Sequence, residues 1–262
     1  MFKTIKLAAI ALLAAPVLLL SACHDGWEEE EDYDPDFDYV NYVPSGGVSF
    51  GTFNQFEHDF STQDIDSFAD KDGFTLSLAQ QSTIMISVTS GGSLDPWVDL
   101  YTGGFHFLVG DNDGGPGNNA VIVTELQAGS YVIVVGGTGD SQGMYDLDIV
   151  VGSLGGLDFG VLARHTLYTD SGGYINDPTD MDSYFFTLTS DTAVDLAMIW
   201  VSGTFDGNIQ LVDQYGQEVL FLDPAGLADP VVTNLNLTAG NYMLVCAAGT
   251  GYGSYIVEID VK

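Results

Sequence analysis

The sequence predicts an all-β fold: two tandem antiparallel β-sandwich domains of the jelly-roll kind, placed after a signal peptide and an acidic linker. Runs rich in branched and aromatic residues are interrupted by Gly, Asn and Asp at intervals of about 8–12 residues, which is the spacing of sandwich strands. Asp outnumbers Glu by 29 to 8, and Asp favours turns whereas Glu favours helices. The chain of 262 residues also contains two copies of one sequence repeat, which predicts two domains of the same fold.

The first 22 residues are predicted to be a lipoprotein signal peptide. A basic start precedes an apolar run at residues 7–20, which is too short for a membrane-spanning helix of about 20 residues. The run ends in Leu-Ser-Ala-Cys23, which resembles a bacterial lipobox, whereas an ordinary signal peptide would contain this cysteine by chance. Several acyl chains on Cys23 would hold the protein stably on a membrane. We therefore expect a location in the bacterial cell envelope, and His24 in place of Asp after the cysteine favours the outer membrane.

Residues 23–47 are predicted to be an acidic tether. Eight acidic residues lie at positions 28–38, and their mutual repulsion should extend the chain. A solvated spacer is the simpler interpretation, and a docking peptide or an edge strand is the alternative. The alternative is based on four aromatic residues among or after the acids: Tyr33, Phe37, Tyr39 and Tyr42.

Charge excludes one class of partner. The chain has 5 basic and 37 acidic residues, so its formal net charge is −32. Removal of Lys3 and Lys6 with the signal peptide makes the balance 3 − 37 = −34. Nucleic acid binding requires a basic surface, so nucleic acid is excluded as a partner. Electrostatic adsorption to anionic lipid headgroups is disfavoured for the same reason, and the lipid anchor is the predicted link to the membrane.

The chain has two cysteines, Cys23 and Cys246, which lie far apart and argue against a disulfide scaffold. Cys246 lies in an apolar run that is typical of a buried strand. A catalytic thiol would need exposure and a neighbouring base, so we expect Cys246 to act as a small apolar core residue.

The rest of the chain consists of two tandem copies of one repeat unit. This repeat predicts domains at residues 48–152 and 156–262. The offset between matching residues is nearly constant, for example 182 − 72 = 110 between two Asp residues. A period of this length is a small domain and not a solenoid repeat. The matching segments are Asp72–Leu78 with Asp182–Leu188, Leu126–Tyr131 with Leu237–Tyr242, and Gly143–Tyr145 with Gly253–Tyr255.

The ordered motifs of both units resemble the bacterial pre-peptidase C-terminal (PPC) domain family. The motifs are an Asp-x-Asp pair before an aromatic strand, a Gly- and Asp-rich loop in the first unit, Leu-x-Ala-Gly-x-Tyr, and Gly-x-Tyr. Together the two units cover nearly all of the chain beyond the tether. The resemblance implies a β-sandwich accessory domain of exported proteins, which binds or positions other molecules and is not catalytic.

No catalytic motif selects an enzymatic function. The four His residues are not paired at metal-ligand spacing, and the sequence has no His-Glu-x-x-His, Gly-x-Ser-x-Gly or phosphate-binding Gly-rich loop. Asp170-Ser171-Gly172 occurs once, whereas an aspartic protease needs two such loops. We therefore predict a protein that is not an enzyme, with a hydrolase based on two carboxylates as the remaining alternative.

Two clusters of Asp are candidate calcium ligands, because calcium prefers several oxygen atoms. In the first, Asp111 and Asp113 alternate with Asn112 before a Gly pair, although the loop lacks the bidentate Glu of an EF-hand. A polar hairpin turn is the alternative there. The second cluster is a repeated Asp-x-Asp pair, and its repetition is equally compatible with capping of a turn. The repeated residues are Asp70 and Asp72 with Asp180 and Asp182.

Trp97, Tyr101 and Phe105 are the predicted ligand-binding residues, because they cluster with His106 and Phe107 around a Gly pair. Packing in the core or at its rim is the alternative for these rings. The sequence thus predicts a non-catalytic exported lipoprotein that binds or positions an extracellular or periplasmic protein or polymer, with calcium as the candidate stabilising ion. A structural spacer of the envelope or matrix is the alternative function.

Overall fold

The computed structural model describes residues 48–224, 226 and 228–262. The predicted signal peptide, the lipidated Cys23 and the tether lie outside these residues. The described chain is built of strands, and it contains no helix that is long and apolar enough to cross a membrane. The prediction of an all-β fold with two sandwiches is confirmed.

The first sandwich has nine strands in two sheets. One sheet has the order β1-β3-β8-β5-β6 and the other the order β2-β9-β4-β7. The strands are β1 (Val48–Phe53), β2 (His58–Ile65), β3 (Lys71–Leu78), β4 (Ser82–Ser90), β5 (Pro96–Thr102), β6 (Phe107–Asp111), β7 (Ala120–Leu126), β8 (Gly129–Gly137) and β9 (Gly143–Gly152).

The second sandwich has seven strands, because two of them are long enough to contribute to both layers. Each of these two strands has 22 residues and bends from one layer into the other, where the first sandwich has a loop between two shorter strands. The strands are β10 (Asp158–Val161), β11 (Thr166–Ile175), β12 (Met181–Leu188), β13 (Thr192–Asp213), β14 (Glu218–Leu222), β15 (Val231–Leu237) and β16 (Gly240–Val261).

Residue pairing is equivalent in the two sandwiches. Trp97 pairs with Gly136 in the first sandwich, and Asn208 pairs with Ala247 in the second. Each residue of the second pair therefore lies 111 positions after its equivalent in the first pair. The pairs are antiparallel except for β1 with β3 and β10 with β12, which are parallel. The chain leaves β1 for β2 in the opposite layer before it returns to β3, and such a crossover permits a parallel pair, unlike a hairpin.

Each sandwich has its own apolar core. Strand residues alternate between the core and the outer surface, so that Val98 and Leu100 of β5 are fully buried while Trp97, Asp99 and Tyr101 point outward. One core consists of residues between positions 53 and 151, and the other of residues between positions 162 and 261. A chain that begins at His24 therefore retains every residue of both cores.

A third apolar cluster joins the sandwiches. Met85 and Val150, on the outer face of β4 and β9, pack with Phe185, Met243 and Val245 from the outer face of β12 and β16. All five side chains are almost completely buried. We call these residues the interface cluster. Burial of this apolar area fixes one sandwich against the other.

Hydrogen bonds extend the contact beside the interface cluster. The Nδ2 of Asn241 donates to the Oγ of Ser87 across 3.1 Å, and the Nε2 of Gln214 donates to the Oγ1 of Thr89 across 3.3 Å. The Gln214 Oε1 in turn accepts from the backbone N–H of Asn241 at 3.0 Å. These buried polar groups satisfy one another, so the contact is specific as well as apolar.

Candidate functional site

The first Asp of the repeated Asp-x-Asp pair caps a turn. In the loop between β2 and β3, the Oδ2 of Asp70 accepts a hydrogen bond from the backbone N–H of Asp66 at 2.8 Å. In the loop between β11 and β12, the Oδ2 of Asp180 accepts from the backbone N–H of Asn176 at the same distance. Both bonds hold the chain before the strand that follows, which is the turn-capping role.

The second Asp of each pair joins the two layers of its sandwich. The Tyr145 hydroxyl of β9 donates to the Oδ2 of Asp72 on β3, across 2.7 Å. In the second sandwich, Tyr255 of β16 donates to Asp182 of β12. The repeated Asp and the Tyr of the repeated Gly-x-Tyr motif are therefore partners in one hydrogen bond, which we call the Asp–Tyr bridge.

The bridge of the second sandwich is part of a larger buried network. The Tyr184 hydroxyl lies 3.1 Å from that of Tyr255, and it also donates to the Oδ2 of Asp170 at 3.1 Å. Burial raises the pKa of Asp182 to about 6, although the hydrogen bond from Tyr255 opposes this shift. Burial likewise raises the pKa of Tyr184 and Tyr255, so both phenols remain protonated donors.

Acidic neighbours surround the bridge of the first sandwich. Burial raises the pKa of Asp72, and the charges of Asp70, Asp64 and Asp66 raise it further. The charge of Asp64 raises the pKa of Asp66. Even so, no three Asp, Glu, His or Cys side chains within the described ranges are grouped so that they could hold a metal ion. Calcium binding by Asp70, Asp72, Asp180 and Asp182 stays a prediction.

Asp111 closes the loop between β6 and β7. Its Oδ2 accepts hydrogen bonds from the backbone N–H of Gly114 at 2.9 Å and of Val121 at 2.8 Å. Asp113, the second predicted ligand, is exposed at the tip of the same loop. The loop thus has the geometry of a polar turn, and calcium binding at Asp111 and Asp113 also stays a prediction.

Of the predicted ligand-binding residues, Trp97 and Tyr101 lie on the outer face of β5, and both are half-buried. Lys71 Nζ lies 5.2 Å from the centre of the Trp97 ring, and Trp97 Nε1 donates to the carbonyl of Gly137 at 3.3 Å. The Tyr101 hydroxyl donates to Asp99 at 3.1 Å. Trp97 is therefore anchored within the surface of its own sheet.

The accessible apolar surface lies beside Tyr101, on the edge strand β6. Phe107 is 59% exposed and Leu108 is 42% exposed, and the Phe107 and Tyr101 rings pack in a T-shaped arrangement with their centroids 5.7 Å apart. Phe105 is half-buried in the turn between β5 and β6, where its φ of 61° is left-handed. We call Tyr101, Phe105, Phe107 and Leu108 the edge patch. Leu108 was missed from the sequence because nothing in its neighbourhood marked β6 as an edge strand.

A second feature that sequence reasoning missed lies between the sandwiches. His58 Nε2 is 3.2 Å from the Oδ1 of Asp148, which is 3% exposed. A cleft of about 200 Å³ opens beside His58. The two residues are 90 positions apart, and no motif links them. The cleft is lined by Phe56, Glu57, His58, Val150, Gln210, Val212, Gly216, Glu218 and Met243.

Cys246 is completely buried in the second core. Burial raises the pKa of its thiol, which is opposite to the shift that activates a cysteine nucleophile. Its side chain therefore serves as core packing.

Comparison with known proteins yields distant similarities only. No protein-family model and no curated protein matches the chain. Among solved structures, the PPC domain of a Bacillus anthracis collagenase is 17% identical with a TM-score of 0.35, and the match covers 40% of this chain and 96% of that one.

Two other structures are less similar. A CUB1-EGF-CUB2 fragment of human MASP-1/3 is 8% identical with a TM-score of 0.25, covering 78% of this chain and 99% of that one. PNGF-II is 10% identical with a TM-score of 0.24, covering 77% of this chain and 65% of that one. Similarity at this level assigns the chain to no family.

The raised pKa of Asp182 predicts a stability that falls as pH rises. A carboxyl whose pKa is higher in the folded state than its ordinary value of about 3.9 stabilises the fold below that value, and this contribution is lost as pH rises through about 6. Asp182→Asn stays neutral, so its free energy of unfolding should match the wild type near pH 4 and exceed it by up to about 3 kcal/mol near pH 7.

Urea unfolding at several pH values measures this difference. The matched control is Asp72→Asn, whose carboxyl is less buried and should give a smaller effect. An Asp182→Asn variant that follows the wild type at every pH would show that Asp182 is not the titrating group.

Proposed function

We propose that the chain is an exported, non-catalytic binding protein of the bacterial cell envelope, anchored through lipid on Cys23, whose two sandwiches act as PPC-like modules. The edge patch is the observation that carries the proposal. It places an exposed aromatic ring and an exposed aliphatic side chain on an edge strand, beside the predicted ligand residues Tyr101 and Phe105.

An edge strand suits recognition for two reasons. Within the described part of the chain, β6 pairs with β5 alone, so its outer backbone groups face away from the sheet. Such groups bind extended chains, while neighbouring side chains supply specificity. The ligand would be an extracellular or periplasmic protein or polymer that is neutral or basic, because the net charge of −32 repels polyanions.

The positions of the unusual carboxyl groups favour a non-catalytic role over a hydrolase. A hydrolase needs a carboxyl of raised pKa that faces a substrate cleft. Asp182 has a raised pKa, but it is buried and bonded to Tyr255 inside a sandwich. On the wall of the cleft, hydrogen bonds from Asn54 lower the pKa of Glu57.

The alternative function is a spacer of the envelope or matrix. The observation in its favour is the interface cluster, which fixes the two sandwiches against each other, as a rigid spacer requires. A spacer needs no ligand, so binding experiments separate the two functions.

Binding depends on the edge patch in our proposal. A chain of residues 24–262 should bind at least one of three insoluble probes: chitin, cellulose or fibrillar collagen. Phe107→Ser with Leu108→Ser should weaken that binding about tenfold or more, because buried aromatic and aliphatic contacts dominate such surfaces. Co-sedimentation gives the affinities.

The matched control is Val219→Ser with Phe221→Ser on β14, the equivalent edge strand of the second sandwich, where both side chains are also exposed. Equal losses in the two double variants would contradict a specific role of the edge patch. Binding of none of the probes would favour the spacer.

Calcium is the proposed stabilising ion. Calcium at a hundredfold excess over its Kd should raise the free energy of unfolding by about 2.7 kcal/mol, because it binds the folded state. We expect a chelator to reverse the shift and Asp113→Asn to abolish it if the loop between β6 and β7 holds the ion, or Asp70→Asn if the loop between β2 and β3 does.

Thermal unfolding in CaCl2 and in MgCl2 at equal ionic strength measures the effect, with Asp140→Asn in the loop between β8 and β9 as the control. Equal shifts in the two salts would mean that cations only screen the acidic charge, and calcium would then be removed from the proposal.

Lipid attachment is tested at the two cysteines. In a bacterial host supplied with radiolabelled palmitate, the wild type and Cys246→Ser should be labelled and found in the membrane fraction, because Cys246 is buried in the second core. Cys23→Ser should lose the label and the membrane fraction. Labelled Cys23→Ser protein would refute the anchor.

A further inference from the structure

Asp148 is an anomaly of the interface between the sandwiches. It lies on β9 between the two sandwiches and is 3% exposed. Its Oδ1 lies 3.2 Å from His58 Nε2, whereas its Oδ2 has no hydrogen-bond partner among the described residues. A buried carboxylate oxygen without a partner is costly, so its presence at a contact calls for a physical account.

We propose that the contact between the two sandwiches responds to pH: it is tight when Asp148 carries a proton and loosens when that proton is lost. This device is independent of any ligand of the edge patch.

The charged groups around Asp148 affect how readily it holds a proton. His58 on β2 is the basic group that contacts it. Asp146 on the same strand and Asp213 at the end of β13 add negative charge, and Glu57 and Glu218 stand in the wall of the neighbouring cleft. Burial is the main cause of a raised pKa at Asp148, these two aspartates raise it further, and His58 opposes the shift.

The pair acts on the contact because it touches both sandwiches. The His58 ring lies so close to Gly216 of the second sandwich that a Cβ there would be 2.4 Å from its Cγ. Ser87, which pairs with Asp148 across β4 and β9, accepts the hydrogen bond from Asn241. A change of charge at Asp148 is therefore felt at the interface and not within either apolar core.

The direction of the pH effect on the contact follows from proton linkage. A carboxyl with a raised pKa in the closed state favours closure at low pH, and this contribution is lost as pH rises through the raised value. The contact should be tighter near pH 5.5 than near pH 8.

Methionine oxidation reports the contact directly. Met85 and Met243 belong to the interface cluster, Met198 is 1% exposed within the second core, and Met144 is 66% exposed on the surface. The protein comprising residues 24–262 is treated with hydrogen peroxide near pH 5.5 and near pH 8. Mass spectrometry then gives the rate of sulfoxide formation at each methionine. Relative to Met144, oxidation of Met85 and Met243 should rise at least about threefold at the higher pH while Met198 stays protected.

Variants identify Asp148 as the titrating group. Asp148→Asn removes the charge and keeps the shape, so Met85 and Met243 should be protected at both pH values. His58→Gln removes the group that lowers the pKa of Asp148, so Met85 and Met243 should stay protected to a higher pH than in the wild type. His106→Gln, an exposed His outside the interface, should behave as the wild type.

Three results would overturn the proposal. The first is an oxidation rate at Met85 and Met243 that does not change with pH in the wild type. The second is a pH effect that persists in Asp148→Asn. The third is a parallel rise at Met198, which would show loosening of the whole sandwich and not of the contact.

Discussion

The Asp–Tyr bridge is the interaction on which both sandwiches depend. A sandwich is held together by apolar contacts that fix the distance between its layers but resist sliding only weakly. The bridge from Asp72 to Tyr145 is partly buried and its repeat from Asp182 to Tyr255 is buried, and each is directional, so it fixes the position of one layer over the other. The adjoining turn is set by the first Asp of the same pair, so three residues define how a sheet begins and where it lies.

The sequence was informative wherever a pattern is local or repeated. The nearly constant offset between the repeats agrees with the structure, where the pairing of Trp97 with Gly136 is equivalent to that of Asn208 with Ala247. The repetition of Asp72 as Asp182 showed that these residues have one role. It did not show which role, because the partner tyrosine lies 73 positions away in the other layer.

The contact between the sandwiches was beyond prediction for a related reason. Met85 and Val150 fit a strand with both faces covered, but nothing in the sequence specifies what covers the outer face. The same holds for the His58–Asp148 pair. The residues of the second sandwich that fill the interface cluster, Phe185 and Met243, correspond to Thr75 and Val132 in the first. Two copies of one fold therefore use the same face differently, and only the three-dimensional arrangement reveals it.

The 22-residue strands β13 and β16 give the second sandwich mechanical properties that the first lacks. A pull along β16 is shared by its pairs with β11, β12 and β13, all loaded in shear at once, whereas the first sandwich breaks the corresponding path with a loop between β8 and β9. Under tension between a fixed amino terminus and a load on the carboxyl end, the first sandwich should extend before the second. The two sandwiches would then form a compliant element and a stiff element in series.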